Sequence, residues 1–345
     1  MVMKERRKTV RQITIKDLAA ILHTTPSTVS RALRDEEGVG EVMRNRVKEL
    51  ARKMNYRPNA VAAGLRKGNS HTVGVIVPRI NRDFFSGVIA GIEEIAYEAQ
   101  YNVIICQTHD SLKKEEQHLD TLLRARVDGI LVSIGLETKH FDHFEKVLQA
   151  GIPLIFFDRV PEEMSVNRIR VDDRAGAREV VQHMIDMGYR NILHFAGPDY
   201  LALYHDRKEG YLEALEKNGI PVREELIIPN SLTFEEGQKA MENVLKQGLR
   251  ADALFSASDY SALGALLLLQ EKGIRIPEEF GVAGFSNEKF TSYVRPSLTT
   301  VDQQSKVMGK HCMELFLREV NENNGSFSKI MLRPEVLLRD STRRR

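Results

Sequence analysis

The hydrophobic rhythm of the chain changes near residue 70. Beyond it short apolar runs recur, at Val73–Val77, Val103–Cys106, Gly129–Val132, Pro153–Phe157, Ile192–Ala196, Leu226–Ile228, Ala253–Ser256 and Val282–Phe285. Amphipathic stretches lie between most of them, at Gly87–Ala99, Glu115–Leu123, Ala175–Met187, Tyr211–Glu216 and Gly237–Leu245. Apolar runs without polar alternation predict strands covered on both faces, hence parallel sheets flanked by helices. Eight such runs are too many for one small open sheet and predict an α/β core of two lobes.

The first seventy residues have helical spacing instead. One helix is predicted from Ile15 to Leu22, with Thr14 and Asp17 spaced as a capping box. A second begins at Pro26, with Thr25 as N-cap and proline where its missing N–H costs nothing. A third spans Glu41 to Met54 and gathers Met43, Val47, Leu50, Ala51 and Met54 on one face. Two helices joined by a short turn, the second polar, match a helix-turn-helix whose second helix enters the DNA major groove. Leu18, Ala19, Leu22, Val29 and Ala32 can pack between the helices, which leaves Pro26, Ser27, Thr28, Ser30 and Arg31 facing outward. Arg31 can donate twice to guanine and Ser27 can bond either kind of base edge. The hydroxyls of Thr25, Thr28 and Ser30 suit phosphates, which position without specifying. The pattern alone also fits a plain three-helix packing unit. After Tyr56-Arg57-Pro58-Asn59, the segment Asn59–Arg66 is too short to be a stable free helix. It reads either as a linker or as a helix that folds on DNA with Leu65 as an apolar wedge.

Charge separates these readings. Residues 1–70 hold 16 Lys/Arg against 7 Asp/Glu, whereas the remaining residues hold 34 against 41. A basic head on a mildly acidic body predicts a nucleic-acid module fused to another function. No apolar run approaches the roughly 18 residues of a membrane span, so no membrane partner is expected. The charged start lacks an apolar stretch of the secretory kind. Cys106 and Cys312 are isolated thiols, which fits a cytoplasmic location and neither a disulfide scaffold nor a metal site.

Several motifs then become recognisable in order along the chain: Thr14–Ala20, Thr28–Leu33, Asn55–Ala62, Val73–Pro78, Val127–Val132, Ala283–Asn287 and Pro296–Val301. Together they resemble the lactose/galactose-repressor (LacI/GalR) family. The resemblance implies a homodimeric transcriptional regulator, a repressor and not an enzyme, that binds a near-palindromic double-stranded operator. It implies an α-helical helix-turn-helix headpiece at 1–58, a hinge helix and linker at 59–70, and a two-lobed periplasmic-binding-protein-like core at 71–345. Lobe 1 would comprise about 71–171 plus 303–328, and lobe 2 about 172–302 plus 329–340. The resemblance places Pro26, Ser27 and Arg31 at base-reading positions and Thr25, Thr28, Ser30, Tyr56 and Asn59 at backbone-contact positions. It resolves the hinge in favour of the Leu65 wedge. Two departures stand out: His23 occupies a turn position where glycine is usual, and Pro26 replaces a side chain that usually helps choose the sequence.

In open α/β sheets ligands sit beyond the carboxyl ends of the strands. Phe84, Phe85, Asp158, Ser258, Asp259, Ser286 and Asn287 lie there, although Phe84 and Phe85 also suit a core and the two aspartates also suit helix caps. The resemblance places effector contacts at Phe85, Asp158, Arg207, Ser258, Ser286 and Gln303. An aromatic wall with a few polar groups suits a sugar. Ser286 stands where sugar-binding members carry an aspartate, and Leu201 and Leu203 occupy positions that are often polar. Arg207 without that aspartate points to an anionic effector, a sugar acid or sugar phosphate. No phosphate-cradling loop, dinucleotide fingerprint or H-E-x-x-H occurs, so no cofactor is expected. An α/β enzyme with an incidental basic head, or a pure sugar-binding protein, remains the alternative.

Overall fold

A computed structural model describes residues 13–56, 69–322 and 327–344. The chain forms two compact units, divided after Ser70.

The amino-terminal unit contains α1 (Ile15–Ile21), α2 (Pro26–Leu33) and α3 (Glu41–Lys53). The capping box forms: the Asp17 N–H donates to the Thr14 hydroxyl while the Asp17 carboxylate accepts from the Thr14 N–H. Thr25 caps α2 by accepting from the Thr28 N–H at 3.2 Å, with Pro26 in the first turn. Between the helices His23 adopts φ +48°, the left-handed conformation that a glycine would take without strain. Leu18, Ala19, Val29, Ala32, Val39, Val47 and Ala51 form the core of this unit.

The second unit is built on two parallel sheets. The first has the strand order β11-β5-β4-β3-β1-β2, from β1 (Thr72–Val77), β2 (Asn102–Gln107), β3 (Gly129–Val132), β4 (Leu154–Phe157), β5 (Asn167–Val171) and β11 (Lys329–Leu332). The second has the order β7-β6-β8-β9, from β6 (Ile192–Phe195), β7 (Ile227–Ile228), β8 (Ala253–Ser256) and β9 (Gly281–Ala283). A small antiparallel pair, β10 (Thr300–Asp302) with β12 (Glu335–Leu337), completes the strands. Lobe 1 carries α4 (Asp83–Glu98), α5 (Leu112–Ala125), α6 (Asp142–Gln149) and α11 (Ser305–Glu322). Lobe 2 carries α7 (Asp173–Asp186), α8 (Ala202–Lys217), α9 (Phe234–Lys246) and α10 (Asp259–Glu271). Helices α4 and α11 touch backbone to backbone. A Cβ on Gly91 would fall on the Lys306 carbonyl oxygen, and one on Gly309 would fall on that of Val88.

Two expectations are corrected here. Strand 329–332 belongs to lobe 1, not lobe 2: it pairs with β5, where the N–H groups of Arg168 and, just past the strand, of Asp172 donate to the Ser328 and Leu332 carbonyls. That edge strand satisfies backbone groups which β5 would otherwise expose. Strand β2 is also not covered on both faces, since Ile104 and Ile105 are 39% and 46% exposed.

Candidate functional site

In the amino-terminal unit, Thr25, Pro26, Ser27 and Arg31 are exposed along α2 and Thr28 is half-buried. Ser30 does not face outward. It is buried, and its hydroxyl accepts from Arg34 Nη2 at 2.7 Å, so it braces α2 from the inner side. Its position, one residue from the buried Val29, turns it toward the core. Tyr56 is half-buried against the core of this unit. Asn59 and Leu65 lie outside the described residues.

The second unit encloses a cavity of about 110 Å³ between its lobes, at the carboxyl ends of both sheets. All eight effector candidates from the sequence line it: Phe84, Phe85, Asp158, Arg207, Ser258, Asp259, Ser286 and Gln303. Phe84 and Phe85 open α4 in an edge-on pair 5.1 Å apart and belong to the lobe 1 core as well as to the wall. Asp158 takes φ +59° after β4, and Ser286 takes φ +124° after β9. Such strained backbone persists only where its surroundings enforce it. Asp158 accepts from the Ser133 hydroxyl at 3.3 Å, and burial pushes its carboxyl above the usual range.

Asp259 is engaged from within the protein. Its Oδ1 accepts from Thr300 Oγ1 at 2.6 Å and its Oδ2 from the Glu288 N–H at 2.9 Å. Burial pushes its carboxyl up to about 6. Ser258 donates its hydroxyl to the Leu232 carbonyl. Arg207 overturns the charge argument made from the sequence. Its Nε and Nη2 donate to Asp173 Oδ1 at 2.9 and 2.8 Å, its Nη1 donates to the Ala257 carbonyl at 2.7 Å, and its guanidinium lies 3.7 Å from the Phe285 ring centroid. Asp173 supplies the carboxylate that Ser286 lacks, so Arg207 offers an effector no unopposed charge. Leu201 and Leu203 are buried with Tyr204 and Ala257 against the lobe 1 core, where polar side chains would cost desolvation.

Sequence reasoning missed several lining residues: Arg79, Arg82, Asp110, Arg159, Tyr260 and Glu288. Arg79 and Asp110 follow the ends of β1 and β2, so the rule that found Phe84 could have found them. The Glu288 carboxylate accepts from the Asp83 N–H at 2.9 Å, and the Asp83 carboxylate accepts from the Lys289 N–H at 2.9 Å. This reciprocal clasp joins the start of α4 in lobe 1 to the loop after β9 in lobe 2. Among the described residues no cluster of His, Cys, Asp and Glu could hold a metal ion. No helix among them is long and apolar enough to cross a membrane.

Residues 70–335 match the family of periplasmic binding proteins and sugar binding domain of LacI family, and residues 14–59 match bacterial regulatory proteins of the lacI family. The chain belongs to the LacI family. It is 31% identical to catabolite control protein A of Priestia megaterium, over 96% of this chain and 99% of that protein. It is 33% identical to the transcriptional repressor CytR of Escherichia coli (strain K12), over 96% of both. Among solved structures, a transcriptional regulator CelR–cellobiose complex superposes with a TM-score of 0.72 at 27% identity, over 96% of this chain and 100% of that one. As a LacI-family member with both modules, the protein is a DNA-binding transcriptional regulator with a small-molecule effector core.

Proposed function

We propose that the exposed face of α2, with Thr25, Pro26, Ser27, Thr28 and Arg31, reads one major-groove half-site of a near-palindromic operator. A sugar-like effector in the interlobe cavity controls that binding. The observation that carries this reading is a polar, aromatic-walled cavity lined from both lobes. A ligand touching both lobes favours one interlobe angle over another, and so shifts the population between two states. Cellobiose in the CelR complex supports the sugar class. The cavity holds on the order of ten water-sized volumes, room for a compact polar ring.

The regulator acts as a homodimer in the cytoplasm. Ile104 and Ile105 on the exposed edge strand β2 supply an apolar surface for a second copy. A pseudo-palindromic site mirrors that two-fold symmetry. The relatives' role as transcriptional regulators supports a non-enzymatic reading, and the Asp259 carboxylate is already held by Thr300 and the Glu288 N–H.

Selection of binding sites from a random duplex pool tests the DNA-binding half. A palindromic consensus is expected, with affinity falling steeply with salt as phosphate contacts release counterions. Arg31→Ala should relax base preference at one position per half-site, at a cost of about 1–3 kcal/mol. A consensus without two-fold symmetry, or one unchanged in Arg31→Ala, would overturn the assignment.

A further inference from the structure

We propose that the effector carries an anionic group, a carboxylate or a phosphate, which Arg82 and Arg159 bind inside the cavity. The proposal rests on the interlobe cavity being the effector site.

Four guanidinium groups line the cavity, those of Arg79, Arg82, Arg159 and Arg207. Arg207 is neutralised by Asp173. Arg79 and Arg159 share a single carboxylate: Asp110 Oδ2 accepts from Arg79 Nε at 3.0 Å and its Oδ1 from Arg159 Nη1 at 2.6 Å. Burial opposes the Asp110 charge, yet Arg159 and Arg79 hold its carboxyl below the usual range, so it stays ionised. Arg82 lies 3.4 Å from the centroid of the Tyr260 ring and forms no ion pair among the described residues.

Two donors decide the matter. Arg82 Nη1 and Arg159 Nε are both buried and both without a hydrogen-bond partner. Native proteins rarely leave such groups unmet, because each forfeits its hydration without return. Three further acids line the cavity, Asp158, Asp259 and Glu288, and burial works against the charge of each: it pushes the Asp158 carboxyl up, that of Asp259 up to about 6, and, together with Asp259 and Asp83, that of Glu288 up to about 7. A neutral sugar could offer hydroxyl oxygens to the two donors but would return little of the hydration that the two guanidinium groups have lost. An anion satisfies both, through charge-assisted bonds roughly twice as strong as neutral ones.

Isothermal titration of the full chain with matched sets of common hexoses and pentoses tests it. Each sugar is offered in neutral form, as its terminal phosphate ester and as its uronic acid, with inorganic phosphate alone as a further probe. An anionic member should bind at least tenfold tighter than its neutral parent, and the phosphate and uronate arms identify which anion is used. Arg82→Gln should cost the anionic member at least tenfold more affinity than it costs the neutral parent. Arg159→Gln should do the same, with a melting curve recorded because it also deprives Asp110 of a partner. A neutral sugar that binds as tightly as its anions, or equal losses for both in Arg82→Gln, overturns the anionic proposal alone. Silence across the whole panel, in protein that still binds its selected DNA, overturns the sugar reading itself.

Discussion

At the scale of residues, Arg207 shows how far a position can be read without its partners. Its place in the chain marks it as a cavity residue, and it does line the cavity. Only the folded chain reveals Asp173 on the other side of the guanidinium, because the two are far apart in sequence and meet through the packing of α7 on α8. Both side chains are nearly fully buried, at 3% exposure each. Removing one partner of such a pair strands the other charge. Arg207→Ala should therefore lower unfolding stability by about 3–5 kcal/mol, measured by denaturant titration. Replacing both residues by leucine should recover much of the loss. A wild-type midpoint in Arg207→Ala would show that Asp173 is solvated or paired elsewhere. Ser30 gives the same lesson on a smaller scale, since its hydroxyl finds Arg34 rather than a phosphate.

At the scale of elements, what was legible followed from periodicity. Every continuous apolar run became a strand, whereas β5 escaped notice because Arg168 and Arg170 alternate with its apolar residues. Those arginines pair with Glu162 and Asp206, so the strand hides its charges in ion pairs that sequence spacing cannot reveal. Helix α10 escaped for the opposite reason: Ala262, Ala265, Leu266, Leu268 and Leu269 are buried around several sides, which leaves no polar face to betray a helix. The clasp between α4 and the loop after β9 was equally hidden, for it joins residues over two hundred positions apart. Its pH dependence has a definite sign. The Glu288 carboxyl, raised from 4.5 to about 7, is buried beside Asp259 and Asp83, with the Asp83 N–H and Arg82 pulling the other way. The folded protein thus holds a proton that the unfolded chain releases. Stability is full below about 4.5 and declines as pH rises through about 7, by on the order of 2–3 kcal/mol. The melting temperature should fall between pH 5 and pH 8, and Glu288→Gln should flatten that fall. An equal slope in both proteins would remove Glu288 from the account.

At the scale of the whole molecule, the two activities are linked by thermodynamics. If an effector changes operator affinity by some factor, the operator must change effector affinity by the same factor. Effector titrations with and without saturating operator should therefore return the coupling measured in operator titrations with and without effector. Unequal factors would indicate a third state, such as a dimer dissociating during the measurement. The glycine crossing of α4 and α11 bears on how such a signal survives. Phe84 and Phe85 stand at the cavity end of α4, and Gln303 stands just ahead of α11. Because Gly91 and Gly309 let the two backbones touch, no side chain separates them to act as a cushion. With nothing between them to repack, a nudge on the aromatic wall and a tug on Gln303 are expected to reach the rest of lobe 1 together. Cavity residues can then be exchanged to suit a new ligand while the machinery that reports its arrival stays as it is.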